Sequence, residues 1–227
     1  MIGPSPRAVF FDLDGTLADT AADLAEPIHQ MRRERGLSPI AADRLRPFTS
    51  RGARGLLGCG LGIEPDHPEY ETLRIDFLAR YEQAMLRHTR LFEGMETVIE
   101  SLESQAILWG VVSNKVERYV RPILAGLGLL ERSICAIGGD TAGFAKPHPE
   151  PLRLAARLAG VDPADCVYVG DDARDIEAGR AAGMKTVAAR YGYCGDAAPP
   201  HEWGADHLID HPRALLQLWP GRAALQP

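Results

Sequence analysis

The residues of this 227-residue chain that could do chemistry fall into four short motifs. Asp12 and Asp14 stand in Asp12-Leu-Asp14-Gly15-Thr16-Leu17. Ser113 stands in Val-Val-Ser113-Asn114-Lys115. Lys146 opens Lys146-Pro-His-Pro-Glu-Pro, and three more acids lie in Gly170-Asp171-Asp172-Ala-Arg-Asp175. Carboxylates crowded around one lysine and one serine repel each other, so they must either take up protons or bind a cation. Hard oxygen ligands favour magnesium, which keeps several waters and joins a site through few carboxylates plus a substrate phosphate.

Such a grouping needs elements that bring distant segments together. Arg7 to Phe11, Ile107 to Val112, Ser133 to Ile137 and Cys166 to Val169 are short apolar runs rich in β-branched and aromatic residues, each followed by a polar or glycine turn. Lys185 to Ala188 and His207 to Ile209 are shorter candidates. Helix-like stretches lie between them at Met95 to Ser104, Val116 to Leu127, Pro149 to Ala159 and Asp175 to Ala182. Strands alternating with helices imply parallel βαβ units, hence an α/β fold with a doubly wound, Rossmann-like parallel sheet. In such sheets ligands bind beyond the carboxyl ends of the strands, which is where all four motifs fall. From Thr20 to His88 no strand pattern occurs. Ala21 to Arg35, Asp43 to Phe48 and Pro68 to Arg87 look helical, the last with a stripe at Leu73, Phe77, Leu78, Tyr81 and Met85. We expect residues 19–91 to form an inserted all-helical cap domain on a core of residues 1–18 and 92–227, with linkers near Leu17–Thr20 and Thr89–Gly94.

The four motifs, in this order and spacing, resemble those of the haloacid dehalogenase superfamily of phosphohydrolases, and the resemblance covers nearly the whole chain. It implies that Asp12 is the nucleophile and that Asp14 is the acid and base. Ser113, with Asn114 beside it, and the backbone around Leu13 would hold the phosphate, and Lys146 would neutralise charge on it. Magnesium would take one oxygen of Asp12, the backbone carbonyl of Asp14 and the carboxylate of Asp171. Asp172 and Asp175 would support the site, Asp175 by orienting the metal's waters or pairing with Lys146. A helical cap after the first motif matches the phosphoglycolate phosphatase-like branch. The stretches Leu91-Phe-Glu-Gly-Met95, Trp109 to Lys115, Tyr191-Gly-Tyr193 and Trp203-Gly-Ala-Asp206 also resemble N-acetylmuramic acid 6-phosphate phosphatases. The implied reaction is magnesium-dependent hydrolysis of a small phosphomonoester through a phosphoaspartate, with 2-phosphoglycolate or N-acetylmuramate 6-phosphate as substrate. A sugar phosphomutase on the same scaffold and a non-catalytic phosphate-binding module are the alternatives. A dehalogenase needs neither a metal nor an acid two residues past the nucleophile, so Asp14 and Asp171 count against it.

Composition is compatible with this reading. Apolar residues make up 45% and charged residues 25% of the chain, with a formal net charge of -6. That acidity lacks the basic footprint of a nucleic-acid binder, and the expected partner is a small phosphorylated metabolite. The four cysteines form no CxxC pair, no apolar run is long enough to span a membrane, and the N-terminus lacks a signal-peptide pattern. The expected location is the cytoplasm, away from the membrane. In the cap, the basic, glycine-rich stretch Thr49 to Gly58 makes Arg51 and Arg54 the candidates for reading the rest of the substrate. His148, Trp109, His201, Trp203 and His207 are read as surface or packing residues.

Overall fold

The computed structural model describes residues 5–195 and 198–219. Residues 1–4, 196–197 and 220–227, which the sequence reading assigns to the core, lie outside the described residues. Strand β1 is Ala8–Phe11, and β2 (Ala18–Asp19) follows it after one tight loop. Four helices come next: α1 (Ala21–Glu34), α2 (Ala42–Leu45), α3 (Gly52–Leu61) and α4 (Tyr70–Ala84). A 3-10 turn, Arg46–Arg51, joins α2 to α3. The chain then runs through β3 (Arg90–Leu91), α5 (Met95–Ser104), β4 (Leu108–Val112), α6 (Glu117–Gly126), β5 (Ala136–Ile137) and α7 (Glu150–Ala159). It closes with β6 (Cys166–Gly170), α8 (Ala173–Ala182), β7 (Lys185–Ala189) and β8 (His207–Ile209).

Six strands form one sheet in the order β5-β4-β1-β6-β7-β8, and every pairing in it is parallel. The centre is β1, with Ala8 aligned to Leu108 of β4 on one side and to Cys166 of β6 on the other. Successive side chains of a strand point to opposite faces, so β1 feeds two cores. Val9 and Phe11 join Val111, Val167 and the α5–α6 side, whereas Ala8 and Phe10 join Tyr168 and the α7–α8 side. Helix α5 shows how the sequence builds one of these layers. Its buried residues Met95, Val98, Ile99 and Leu102 recur at the spacing of one helical face, and burying each contributes about 1.5–3 kcal/mol.

The third strand is shorter than its sequence pattern, two residues instead of Ser133 to Ile137. It is a sheet edge, and Ile134 is left exposed there. Helices α1 to α4 pack around an apolar cluster of their own that includes Leu24, Ile28, Leu57, Phe77 and Tyr81, and Tyr119 of α6 reaches into it. The segments entering and leaving these helices run side by side. Strand β2 pairs antiparallel with β3, and the buried Asp23 carboxylate accepts from the backbone N–H groups of His88 (2.9 Å) and Thr89 (3.0 Å). Among the described residues, β2 and β3 are the only strands in this region. Among the described residues no helix is long and apolar enough to cross a membrane.

Candidate active site

The chain reverses its direction of travel across the sheet at β1. It moves outward through β4 to β5 and then returns to β6. The carboxyl ends of these strands therefore open a crevice, and Asp12, Ser113 and Asp171 are the residues directly after β1, β4 and β6. The loop after β1 is tight, with Leu17 N–H donating to Asp12 O and Ala18 N–H to Leu13 O. Gly15 turns it at φ +89°, and a Cβ there would lie 2.1 Å from Oδ2 of Asp171. Only glycine adopts that backbone freely and leaves that room, so this position sets how closely the first and fourth motifs approach.

Lys146 lies at the base of the crevice with its side chain 2% exposed. Its Nζ is 3.0 Å from Asp12 Oδ1 and 2.7 Å from Asp175 Oδ1. It also donates to Val112 O at 3.0 Å and to the Tyr168 hydroxyl at 2.8 Å. Burial works against its charge, but the carboxylates of Asp12 and Asp175 outweigh burial and hold its pKa raised. Asn114 fixes the backbone that carries it. The Asn114 amide accepts from Lys146 N–H at 2.8 Å and donates to Lys146 O at 2.9 Å. Ser113, 3% exposed, accepts from Lys115 N–H at 3.3 Å. That leaves its hydroxyl proton to point into the crevice. The helix that follows takes Val116 as its N-cap, without a side-chain cap.

Oxygen atoms of Asp12, Asp171 and Asp175 lie within 4.8 Å of one another, all three residues buried. The Asp171 carboxylate accepts from Thr16 Oγ1 at 2.9 Å and from Tyr193 N–H at 2.8 Å. Burial, with Asp12 and Asp175 beside it, pushes its pKa well above the ordinary range. Asp175 is pushed up to about 6 by burial, against the pull of Lys146. This is carboxylate charge that one lysine does not neutralise. Asp172 faces outward from the triad. It is the N-cap of α8, accepting from Arg174 N–H at 2.9 Å, and Asp175 returns the bond by accepting from Asp172 N–H at 3.0 Å. Asp175 thus combines the third position of a capping box with the Lys146 pair. Arg174 grips Asp172 through two nitrogens and donates to Ser50 O at 2.8 Å, tying α8 to the helical region.

The Asp14 carboxylate points away from that triad. It accepts from Thr20 Oγ1 at 2.5 Å and lies 2.9 and 3.0 Å from Lys115 Nζ. The two side chains are 9% (Lys115) and 12% (Asp14) exposed. Burial opposes the charge on Lys115, and Asp14 outweighs it, so the pKa is raised. The ring of Tyr81, from α4, lies 4.9 Å from the ammonium. The Tyr81 hydroxyl is buried without a hydrogen-bond partner, and burial pushes its pKa up to about 12. Above these groups opens a cleft of about 610 Å³ between the sheet and the helical region. Its floor carries Asp12, Ser113 and Lys146. Leu24, Phe77, Tyr81 and Tyr119 make an apolar wall, and Arg51, Arg74, Arg118 and Arg174 supply positive charge.

Residues 9–189 match the haloacid dehalogenase-like hydrolase family. The chain belongs to that family. It is 45% identical over 212 residues to an N-acetylmuramic acid 6-phosphate phosphatase of Pseudomonas putida, covering 93% of this chain and 95% of that one. It is also 45% identical over 222 residues to a phosphoglycolate phosphatase of Xanthomonas campestris pv. campestris, covering 98% and 99%. Its fold superposes with a TM-score of 0.82 on the crystal structure of a predicted phosphoglycolate phosphatase from Haemophilus somnus, at 26% identity, over 93% of this chain and 97% of that one.

The structure brings Asp12, Ser113, Lys146, Asp171 and Asp175 together at one crevice, with Asp14 and Asp172 also lining the cleft above it. Three further placements bear on the expected site residues. The Leu13 N–H, expected to face a phosphate, donates to Asp12 Oδ1 at 2.7 Å, because the Asp12 side chain folds back over the turn. Asn114, expected beside the phosphate, spends its amide on the Lys146 backbone. Arg51 and Arg54 both line a second cleft beside Cys194 and Trp203, and of the two Arg51 also lines the main cleft. Arg51 ends the 3-10 turn before α3 and Arg54 lies within the first turn of α3. His148 is exposed and stacked on Phe144, and His207 begins β8, at the opposite end of the sheet from the crevice. Tyr168, Lys115, Tyr81 and Tyr193 were missed as site residues. Lys115 carried one signal, its place directly after Ser113-Asn114. Tyr81 was marked only as part of a helix stripe, Tyr193 only as part of Tyr191-Gly-Tyr193, and Tyr168 not at all, because their contacts arise from packing between distant segments.

Proposed function

We propose that the chain is a magnesium-dependent phosphatase that hydrolyses a small phosphomonoester through a phosphoaspartate on Asp12. The observation that carries this is the buried grouping of Asp12, Lys146, Asp171 and Asp175, of which Asp12, Lys146 and Asp175 line a cleft that also holds a second acid, Asp14. The Asp12 oxygen not engaged by Lys146 attacks phosphorus, a P–O bond forms, and the bond to the leaving alcohol breaks. Asp14 gives its proton to the departing oxygen. It then takes a proton from the water that attacks the phosphoaspartate, releasing inorganic phosphate and restoring the Asp12 carboxylate. Lys146 and Ser113 hold the phosphoryl oxygens and offset the charge that develops on them. Asn114 and Tyr168 keep Lys146 in place.

The donor set fits a magnesium ion. It offers buried hard oxygens in excess of the positive charge provided by Lys146, and burial together with Asp12 and Asp175 raises the pKa of Asp171. Asp12, Asp171 and the backbone carbonyl of Asp14 would hold it, with Asp175 orienting its waters. When bound, it would neutralise phosphoryl charge and template the attack. Residues 19–91 act as a cap that closes over the core of 1–18 and 92–227 and excludes water. The enzyme acts in the cytoplasm on a small phosphorylated metabolite.

The relatives carry two activities in their names. For this chain the cleft favours N-acetylmuramate 6-phosphate. A space of about 610 Å³ with an apolar wall of Phe77, Tyr81 and Tyr119 suits a sugar-sized alcohol, and a two-carbon acid would leave most of it to water. 2-Phosphoglycolate is the second reading, on the strength of the Xanthomonas relative. The test is phosphate release from both esters and from para-nitrophenyl phosphate, with and without magnesium. Turnover that requires magnesium, is lost in Asp12→Asn and has its highest kcat/KM on the sugar phosphate is the expected result. No release from any ester by the wild type would overturn the phosphatase reading.

A further inference from the structure

Two residues of the fourth motif have no part in the steps above. Asp172 faces outward from the buried acids, and Arg174 grips it, with Nε 2.8 Å from Oδ1 and a terminal nitrogen 2.9 Å from Oδ2. That same terminal nitrogen donates to Ser50 O at 2.8 Å, in the 3-10 turn Arg46–Arg51 of the helical region. With side chains 36% (Arg174) and 18% (Asp172) exposed, the pair contributes little as simple charge attraction. Its geometry matters more. A guanidinium is a rigid planar fork, so fixing two of its nitrogens on one carboxylate fixes where the remaining hydrogen bond points. Asp172 is itself fixed as the N-cap of α8, accepting from Arg174 N–H at 2.9 Å. Helix α8 thus holds out a donor at a set position, and a carbonyl of the turn meets it.

The turn held in this way is part of the cleft wall. Thr49, Ser50 and Arg51 line the main cleft, together with Gly52 at the start of α3. The first residue of the turn, Arg46, pairs with Asp19 of the hinge strand at 3.0 Å, so the turn is tied to the hinge at its start and to α8 near its end. The Ser50 hydroxyl is buried without a hydrogen-bond partner, so it is the carbonyl of Ser50, not its side chain, that makes this tie. Arg51, Asp172 and Arg174 also line the second cleft, of about 620 Å³, and form the partition between the two. We infer that Arg174 is a positioning residue: anchored on Asp172, it holds the 46–51 turn against the core so that the cleft wall fits the alcohol part of the substrate. The inference rests on the phosphatase reading above, and it gives Asp172 a role apart from those of Asp171 and Asp175, exerted through Arg174. Without the bridge the turn loses its tie to α8 and the alcohol part is held less closely, whereas Ser113 and Lys146 still seat the phosphate.

Para-nitrophenyl phosphate and acetyl phosphate separate these effects. Both leaving groups depart without needing a proton, but the first places an aromatic ring in the cleft and the second only an acetyl group. Arg174→Lys keeps the charge and loses the fork. It should lower kcat/KM on para-nitrophenyl phosphate by on the order of 10-fold, mainly through KM, and on acetyl phosphate by less than about 3-fold. Amide hydrogen exchange at residues 46–54 should quicken in the same variant. Asp172→Asn keeps a residue that caps a helix well but takes one oxygen from the fork, and it should reproduce both changes. The double variant should be no worse than Arg174→Lys alone, because the two residues act as one unit. Wild-type behaviour of Arg174→Lys on para-nitrophenyl phosphate overturns the inference. So do an equal loss on both esters, unchanged exchange at residues 46–54, or additive losses in the double variant. A wild type that releases phosphate from neither ester sinks the phosphatase reading instead, whereas turnover that ignores Arg174 leaves that reading intact.

Discussion

Replacing Lys146 with methionine keeps the length of the side chain and removes its charge. Its ammonium is shared between Asp12 and Asp175 at 3.0 and 2.7 Å, with 2% of the side chain exposed. Removing one partner of a buried pair costs about 3–5 kcal/mol, because the other charge stays behind uncompensated. For a protein of this size each kcal/mol lowers Tm by about 2–4 °C, so Lys146→Met should melt about 6–20 °C below the wild type in EDTA. Lys185→Met is the matched control. Its pair with Asp206 has the same 3.0 Å separation, but the side chains are 52% and 32% exposed; such surface pairs are worth about 0–1 kcal/mol. If uncompensated charge causes the loss, Lys146→Met with Asp175→Asn should recover a substantial part of the stability, a non-additive pair, and none of the turnover. Thermal melting by circular dichroism and phosphate release measure the two quantities. A single variant within about 2 °C of the wild type, or a double variant no more stable than Lys146→Met alone, would refute the electrostatic account.

Three other consequences can be checked. Magnesium should raise Tm, and the gain should grow from pH 5 to pH 8: Asp175, raised to about 6, and Asp171, raised well above the ordinary carboxylate range, take up protons in the metal-free folded state as pH falls and must lose them to bind the ion; a gain that shrinks with rising pH would contradict this. Tyr193→Phe removes the hydroxyl that accepts from Thr20 N–H at 2.8 Å and bonds Asp19 at 3.0 Å, so it should cost about 1–3 kcal/mol and speed hydrogen exchange at residues 18–20; unchanged exchange there would exclude Tyr193 as a hinge strut. Gly192→Ala places a Cβ 2.3 Å from Gly15 O and 2.4 Å from Asp171 Cβ, which should cost about 1–3 kcal/mol of stability and weaken magnesium binding, read by calorimetry; normal affinity would show that the first and fourth motifs have more slack than the structure gives them.

Much of this was legible in the sequence because it is local. An apolar run followed by a turn carries its own strand signal, and a parallel sheet places the residue after each strand on one rim whatever the side chains are. Asp12, Ser113 and Asp171 needed only that rule. The helix-like stretch Met95 to Ser104 likewise matched α5 to the residue. The edge strand was overextended because Ser133 to Ile137 has strand composition, while pairing depends on a neighbour that only β4 provides. Asp172 and Asp175 looked interchangeable at the start of a helix. Which one capped it and which one met Lys146 depended on where β5 and α7 delivered the lysine.

The sequence by itself determined the strand–helix alternation and the four motifs, and with them the haloacid dehalogenase-like hydrolase family, since each is a short run whose period or residue types carry the information. Tertiary structure alone decided the partners: Tyr168 under Lys146, Lys115 on Asp14 with Tyr81 above it, Tyr193 on the hinge, and Arg51 lining the main cleft while Arg54 does not. These contacts join residues tens to more than a hundred positions apart, as Asp14 and Lys115 are, 101 residues apart in the chain. No periodicity records such pairs, because their energy comes from burial and charge compensation that exist only once the layers are packed.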